Sequence, residues 1–187
     1  GDYSGYSVSL NSDGNRVAIG ARQNDGTGIH SGHVRVYELS DNSWNKLGLD
    51  IDGEASFDYA GHSVSLNSVG NRVAIGAIYN GGGGFNAGHV RVYQYVDTSW
   101  NQIGQDIDGE AAGDEFGHSV SLNSDGNIVA IGATHNSDTG TEAGHVRVYM
   151  YDDPSWNQIG DDIDGEASFD HAGYSVSLNS DGNRVAI

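Results

Sequence analysis

Gly117-His118-Ser119-Val120-Ser121-Leu122-Asn123-Ser124 decides the fold, because its bulky and small residues strictly alternate and because the chain repeats it. The same pattern opens at Gly5, Gly61 and Gly173, so every interval is 56 residues. A period of that size marks a tandem array of one supersecondary unit. Alternation places Val and Leu on one side of an extended strand and the serines on the other. Downstream, Asn11-Ser12-Asp13-Gly14-Asn15 contains the Asp-Gly pair that tight hairpins favour. Arg16-Val17-Ala18-Ile19-Gly20 then reads as the returning strand. His33-Val34-Arg35-Val36-Tyr37 supplies a third strand, and a fourth is expected around Trp44-Asn45-Lys46-Leu47.

Four antiparallel strands make a small sheet that is bulky on one face and small on the other. Neither face suits water, and stacking the large face of one copy on the small face of the next buries both. The expected fold is therefore all-β, a tandem of four-stranded antiparallel blades of 56 residues forming a β-propeller or a segment of one. Residues 1–4 read as the tail of a preceding repeat, 5–60, 61–116 and 117–172 as three repeats, and 173–187 as the first hairpin of a fourth. Four leading hairpins against three trailing ones do not pair into a ring, which predicts a segment of a longer polypeptide.

Composition agrees and narrows the function. Glycine contributes 29 of 187 residues and proline one, the vocabulary of short strands and turns. Lys and Arg total 8 against 26 Asp and Glu, a net charge of −18. That charge repels phosphate backbones, so nucleic acid is not an expected partner. No run approaches the roughly 18 apolar residues of a spanning helix, and membrane insertion is not expected. Without cysteine there is no thiolate nucleophile and no disulfide framework.

Asp114-Glu115-Phe116-Gly117-His118-Ser119-Val120 resembles the D-x-F-G-x-S-V signature of FG-GAP repeats. Ile131-Gly132-Ala133 resembles the second half of that signature, and Gly144-His145-Val146-Arg147-Val148-Tyr149 the strand that follows it. The resemblance, to the repeat of the integrin α-subunit propeller and of secreted surface proteins, runs through every copy. It implies a propeller outside the cell or on its surface, serving adhesion or ligand binding. Two departures stand out. Ala60 and Ala172 replace the Phe of the signature, and the hairpin turns lack the carboxylates of the family's calcium loop, with Val69 in place of Asp13.

A different acidic set recurs after the fourth strand: Asp50, Asp52, Glu54 and Asp58; Asp106, Asp108, Glu110 and Asp114; Asp162, Asp164, Glu166 and Asp170. Oxygens at relative positions 1, 3, 5 and 9 suit a loop wrapping Ca2+, although Gly and Glu do not fall where such loops place them. Asp and Gly shaping a tight turn explains the same residues without an ion. Beyond possible Ca2+, no cofactor is expected. His33, His89 and His145 read as structural hydrogen-bonding residues at a strand start, and Trp44, Trp100 and Trp156 as outer-strand packing. Ser7 and its counterparts lie inside strands, where a nucleophile elbow does not form.

The loop between the second and third strands varies most from copy to copy. It offers Asn24, Asp25 and His30 in the first, Tyr79, Asn80 and Phe85 in the second, and His135, Asn136 and Glu142 in the third as ligand-binding candidates. Loops on a rigid scaffold are where binding usually resides. The expected function is a non-catalytic extracellular module that binds a protein or a glycan through these loops. The alternative is a structural protein whose copies assemble with one another into a filament or coat, and an enzyme with a channel site ranks last. Catalysis is not expected because it needs one asymmetric constellation, and the copies offer nearly the same residues each time.

Overall fold

The computed structural model describes residues 1–187 and contains strands and turns but no helix. The first sheet consists of Ser4–Leu10 (β1), Arg16–Ala21 (β2), His33–Ser40 (β3), Ser43–Lys46 (β4) and Ile51–Asp52 (β5). The second holds Ser63–Leu66 (β6), Arg72–Ala77 (β7), His89–Val96 (β8), Ser99–Gln102 (β9) and Ile107–Asp108 (β10). The third holds Phe116–Leu122 (β11), Ile128–Ala133 (β12), His145–Asp152 (β13), Ser155–Gln158 (β14) and Ile163–Asp164 (β15). Ser177–Leu178 (β16) and Val185–Ala186 (β17) pair as a final hairpin. All ladders within the sheets are antiparallel, and the sheets follow one another as the blades of a propeller-type array.

The inner hairpin pairs Val8 with Ile19 and Leu10 with Val17, as the alternation requires. The outer strand differs from expectation, because it is broken in two. Tyr37 to Ser40 of β3 pair with β4, whereas His33 and Val34 pair with Asp52 and Ile51 of β5. The acidic stretch thus runs through a short strand, with Asp52 on β5, and does not lie wholly in a loop. The break contains Gly48, at φ +78°, and its counterpart Gly104, at φ +73°. A Cβ on Gly104 would lie 2.5 Å from Cδ1 of Trp156, and one on Gly48 2.9 Å from Cδ1 of Trp100. The indole of each following blade therefore fills the space that the missing side chain leaves. Its Nε1 donates to the carbonyl of Leu47 or Ile103, at 2.8 and 2.9 Å.

Blade packing follows the two-faced logic of the strands. Ala18, Val34, Val36 and Ile51 of the first blade meet Val64, Leu66, Val73 and Ile75 of the second in one buried cluster. A second cluster joins Ala74, Val90, Val92 and Ile107 to Phe116, Leu122, Val129 and Ile131. The serines that alternate with these residues fasten neighbouring inner strands. Ser7, Ser63 and Ser119 donate through Oγ to the carbonyls of Gly61, Gly117 and Gly173, at 2.8, 2.7 and 2.7 Å. Ser9, Ser65 and Ser121 accept through Oγ from the amides of Leu66, Leu122 and Leu178. Gly20 and Gly76 make this approach possible, since a Cβ there would strike the carbonyl oxygen of Gly61 or Gly117.

Candidate functional site

The recurring carboxylates turn to separate partners instead of converging as one calcium-wrapping loop. Asp50 receives the Arg35 guanidinium at 2.8 Å and Lys46 Nζ at 2.8 Å. Asp106 and Asp162 receive Arg91 and Arg147 in the same way, at 2.9 and 2.6 Å. Hydrogen bonds from Arg35 and Arg147 hold the carboxyls of Asp50 and Asp162 below the ordinary range. Glu54 and Glu110 reach across the blade interface to Arg91 and Arg147. Asp58, Asp114 and Asp170 fold back onto the amides of Ala55, Ala111 and Ala167. Asp52 and Asp108 stand 4.0 Å from His33 and His89, and Asp164 pairs with His145 across the β13–β15 ladder. Glu166 is exposed. An ion at Asp50, Asp106 or Asp162 would have to displace a guanidinium, so these donors fit Ca2+ poorly.

His33, His89 and His145 are buried beside those arginines. Burial first, and then the adjacent Arg35, Arg91 or Arg147, lowers each imidazole pKa and favours the neutral ring. Neither nitrogen of His145 has a hydrogen-bond partner, and its Nδ1 stands 3.8 Å from Asp162 and 4.0 Å from Glu110. Arg147 bridges both of those carboxylates, so the junction is already compensated in charge.

The β2–β3 loop and the connection between blades lie against each other on one rim. Backbone amides of Phe57 and Tyr59 donate to the carbonyls of Ile29 and His30, at 2.7 and 3.2 Å. Gly113 to Phe85 and Phe169 to Thr141 repeat the first of these bonds, at 2.9 and 2.8 Å. The asparagines anticipated as ligand contacts serve this joint. Asn80 and Asn136 are buried, donate to Asp58 and Asp114 at 3.2 Å each, and close their own loops onto the amides of Gly82 and Asp138. Asn24 donates to Asp2 at 2.9 Å, and Asp25 caps the amide of His30 at 2.7 Å. His30 stacks on Phe57 at 5.8 Å, and Tyr79 meets Tyr59 edge-on at 5.1 Å. Phe57, Phe85 and Phe169 project outward, Phe85 being 82% exposed.

One corner of this rim differs from the others. His135 and Glu142 of the third-blade loop meet His171 of the next connection, with one donor atom from each mutually within 4.8 Å. Glu115 Oε2 approaches His135 Nδ1 at 3.2 Å, and His171 Nδ1 lies 3.1 Å from the Thr134 carbonyl. Burial pushes the Glu115 carboxyl up. His171 and Glu115 were not among the residues singled out from sequence. Their signal was the series Tyr3, Tyr59, Glu115 and His171 at one repeat position. Nearby, Tyr6, His62, His118 and Tyr174 form a row of rings spaced 5.1, 5.0 and 4.8 Å across successive inner strands. Burial, then His118 and Arg22, lowers the His62 pKa to about 3.

Residues 107–149 match the FG-GAP repeat family. No curated protein sequence matches the chain significantly. Among solved structures, a candidate 6-phosphogluconolactonase from Bacteroides uniformis superposes over 96% of this chain and 45% of its own, with a TM-score of 0.62 and 10% identity. The periplasmic gluconolactonase PpgL of Pseudomonas aeruginosa does so over 96% and 49%, with a TM-score of 0.55 and 14% identity. The chain thus spans about half the length of either structure, and at such identities the likeness is one of fold. It corrects the expectation that the chain is not an enzyme, because proteins named for lactonase activity are built on this same arrangement of blades. The physical error lay in comparing copies segment by segment. Two connections and one loop together create an asymmetric constellation at His135, Glu142, His171 and Glu115 that no single segment contains. The chain is a propeller-type array of blades in which residues 107–149 match the FG-GAP repeat.

Proposed function

We propose that this array is an extracellular or periplasmic module that binds a protein or glycan ligand through the rim formed by its β2–β3 loops and blade connections. The observation that carries the reading is the set of outward Phe57, Phe85 and Phe169 side chains. Their loops are tied down by backbone hydrogen bonds, so little ordering remains to oppose binding. Aromatic rings offer large contact area with few rotatable bonds, and they suit both sugar faces and protein side chains. The resemblance to FG-GAP propellers and the name of the periplasmic neighbour favour a location outside the cytoplasm. Further copies of the chain are a second class of partner for the same surface.

A second reading, chemistry at the same rim, is favoured by the His135–Glu115 and His171–Glu142 pairs. The two solved neighbours suggest sugar lactones as the substrate class to try first. Replacing Tyr79, Phe85 and His135 together by Ser tests the binding reading on glycan arrays and on cells. Binding should be lost while thermal stability stays near that of the parent. Unchanged binding, with loss on altering Asp13 and Asp125 in the opposite hairpin turns, would place the ligand on the other rim.

A further inference from the structure

We propose that His135, His171 and Glu142 bind one divalent transition-metal ion of the Zn2+ or Co2+ class, leaving a coordination position open to solvent. This goes beyond the ligand-binding reading, which can fail without it. Two imidazoles and one carboxylate make a donor set suited to such ions and poor for Ca2+ or Mg2+, which prefer oxygen throughout.

The geometry supports this in three ways. First, the three side chains offer donor atoms that lie mutually within 4.8 Å. The 3.9 Å between His171 Nε2 and Glu142 Oε2 is too long for a hydrogen bond. It is short enough for one ion held by both at about 2.0–2.2 Å. Second, the proton on His171 is placed. The Thr134 carbonyl can only accept, so the Nδ1 facing it at 3.1 Å carries the hydrogen. In the neutral ring that leaves the lone pair on Nε2, the nitrogen that faces Glu142. An imidazole oriented from behind by a carbonyl is how metal-binding histidines are commonly held. Third, a carboxylate, Glu115, stands 3.2 Å from His135 Nδ1, close enough to orient that ring. The side chains of His135, His171 and Glu142 are between 37% and 40% exposed, which leaves a path for the ion and room for water on it.

Only the third copy assembles this set. The corresponding positions hold Gln23, His30 and Tyr59 in the first copy and Tyr79, Asn86 and Glu115 in the second. The three other histidine–carboxylate groups, at His33, His89 and His145, differ in kind because an arginine already holds their carboxylates: Arg35 binds Asp50, Arg91 bridges Glu54 and Asp106, and Arg147 bridges Glu110 and Asp162.

The sister copies also supply test variants that the fold accommodates. His135→Gln and His171→Tyr install residues found at those positions in the first copy. The chain, free of any polyhistidine tag and stripped with chelator, is titrated with Co2+ by visible absorption and with Zn2+ by calorimetry. One ion per chain is expected, with a Co2+ visible spectrum that disappears on adding EDTA. Each histidine variant should abolish that spectrum while retaining the parent's thermal transition in chelator. Glu115→Gln should keep the stoichiometry and weaken binding by about 10–100-fold, as loss of an outer partner does. Absence of Co2+ and Zn2+ binding in the parent would overturn the proposal, as would binding that survives unchanged in both histidine variants. Should one histidine variant fail to fold, the other decides.

Discussion

The junction around Arg35, Arg91 and Arg147 and the corner around His135 both set histidine beside carboxylates, yet they behave oppositely along the chain. At the junction every copy keeps the arginine, the aspartate beside it and the histidine two positions earlier. Each of those arginines binds the carboxylate of its own outer strand, and two of them also bind the glutamate of the preceding connection. At the corner, three positions change with each copy. The junction recurs because every blade must meet the next by one rule, and a change there is felt at an interface. The rim positions carry no such duty, so they were free to diverge and to bring unlike residues together.

Several substitutions can break or sharpen that contrast. The largest effect should come from one residue type in two settings. Trp156 is 3% exposed beneath the preceding blade and Trp44 is 47% exposed on a face that no sheet of this chain covers. Trp156→Ala should cost about 4 kcal/mol in denaturant unfolding. Trp44→Ala should cost under about 1 kcal/mol. Equal losses would mean that blade stacking is not what the indole supports.

Gly76→Ala should come next, at about 2–3 kcal/mol, because the added methyl group meets the Gly117 carbonyl where two inner strands are fastened. The same substitution at Gly113, where a Cβ meets nothing within 4 Å, removes no contact. Its φ of +90° still imposes backbone strain of roughly 1 kcal/mol. A Gly113 variant more damaging than the Gly76 variant would contradict the close-approach account.

A smaller, pH-dependent effect belongs to His62, which faces Arg22, His118 and the Tyr6 ring. Its folded pKa of about 3 lies below the 6.5 of an unfolded histidine, so the native state resists protonation. Its contribution is therefore complete above pH 6.5 and shrinks as pH falls toward 3, by about 2 kcal/mol at pH 5. His62→Tyr, the residue at positions 6 and 174, should flatten the stability profile between pH 6.5 and 4. Asp50 and Asp162, held down by arginines, act at lower pH, their contributions fading as pH falls through the ordinary carboxylate range. An unchanged slope in the His62 variant would locate the acid sensitivity elsewhere.

What could be read from sequence was what a strand states locally. The Val8–Leu10 alternation and the Asn11–Asn15 turn specify the inner hairpin without reference to the rest of the chain. The break in the outer strand was not legible, since it depends on an indole from a blade more than 50 residues away. The partners of the acidic set were hidden for a related reason. Asp50 and Asp52 are spaced like loop ligands, but Arg35 stands across a sheet, 15 residues earlier than Asp50. Asn80 and Asn136 looked like free rim groups because their buried partners, Asp58 and Asp114, are 22 residues distant. His171 escaped notice as a single departure inside an otherwise regular connection.

The central claim, that repeated residues hold the blades together while departures from the repeat carry the function, is tested most directly by returning the corner to its second-copy form. His135→Tyr, Glu142→Asn and His171→Glu are combined in one chain, and thermal unfolding is followed in EDTA and in Zn2+. The account predicts a transition in EDTA that matches the parent, rim surface substitutions being worth within about 0.5 kcal/mol, together with complete loss of the Zn2+-induced rise. A transition several degrees lower in EDTA, or a Zn2+ response equal to the parent's, would contradict it.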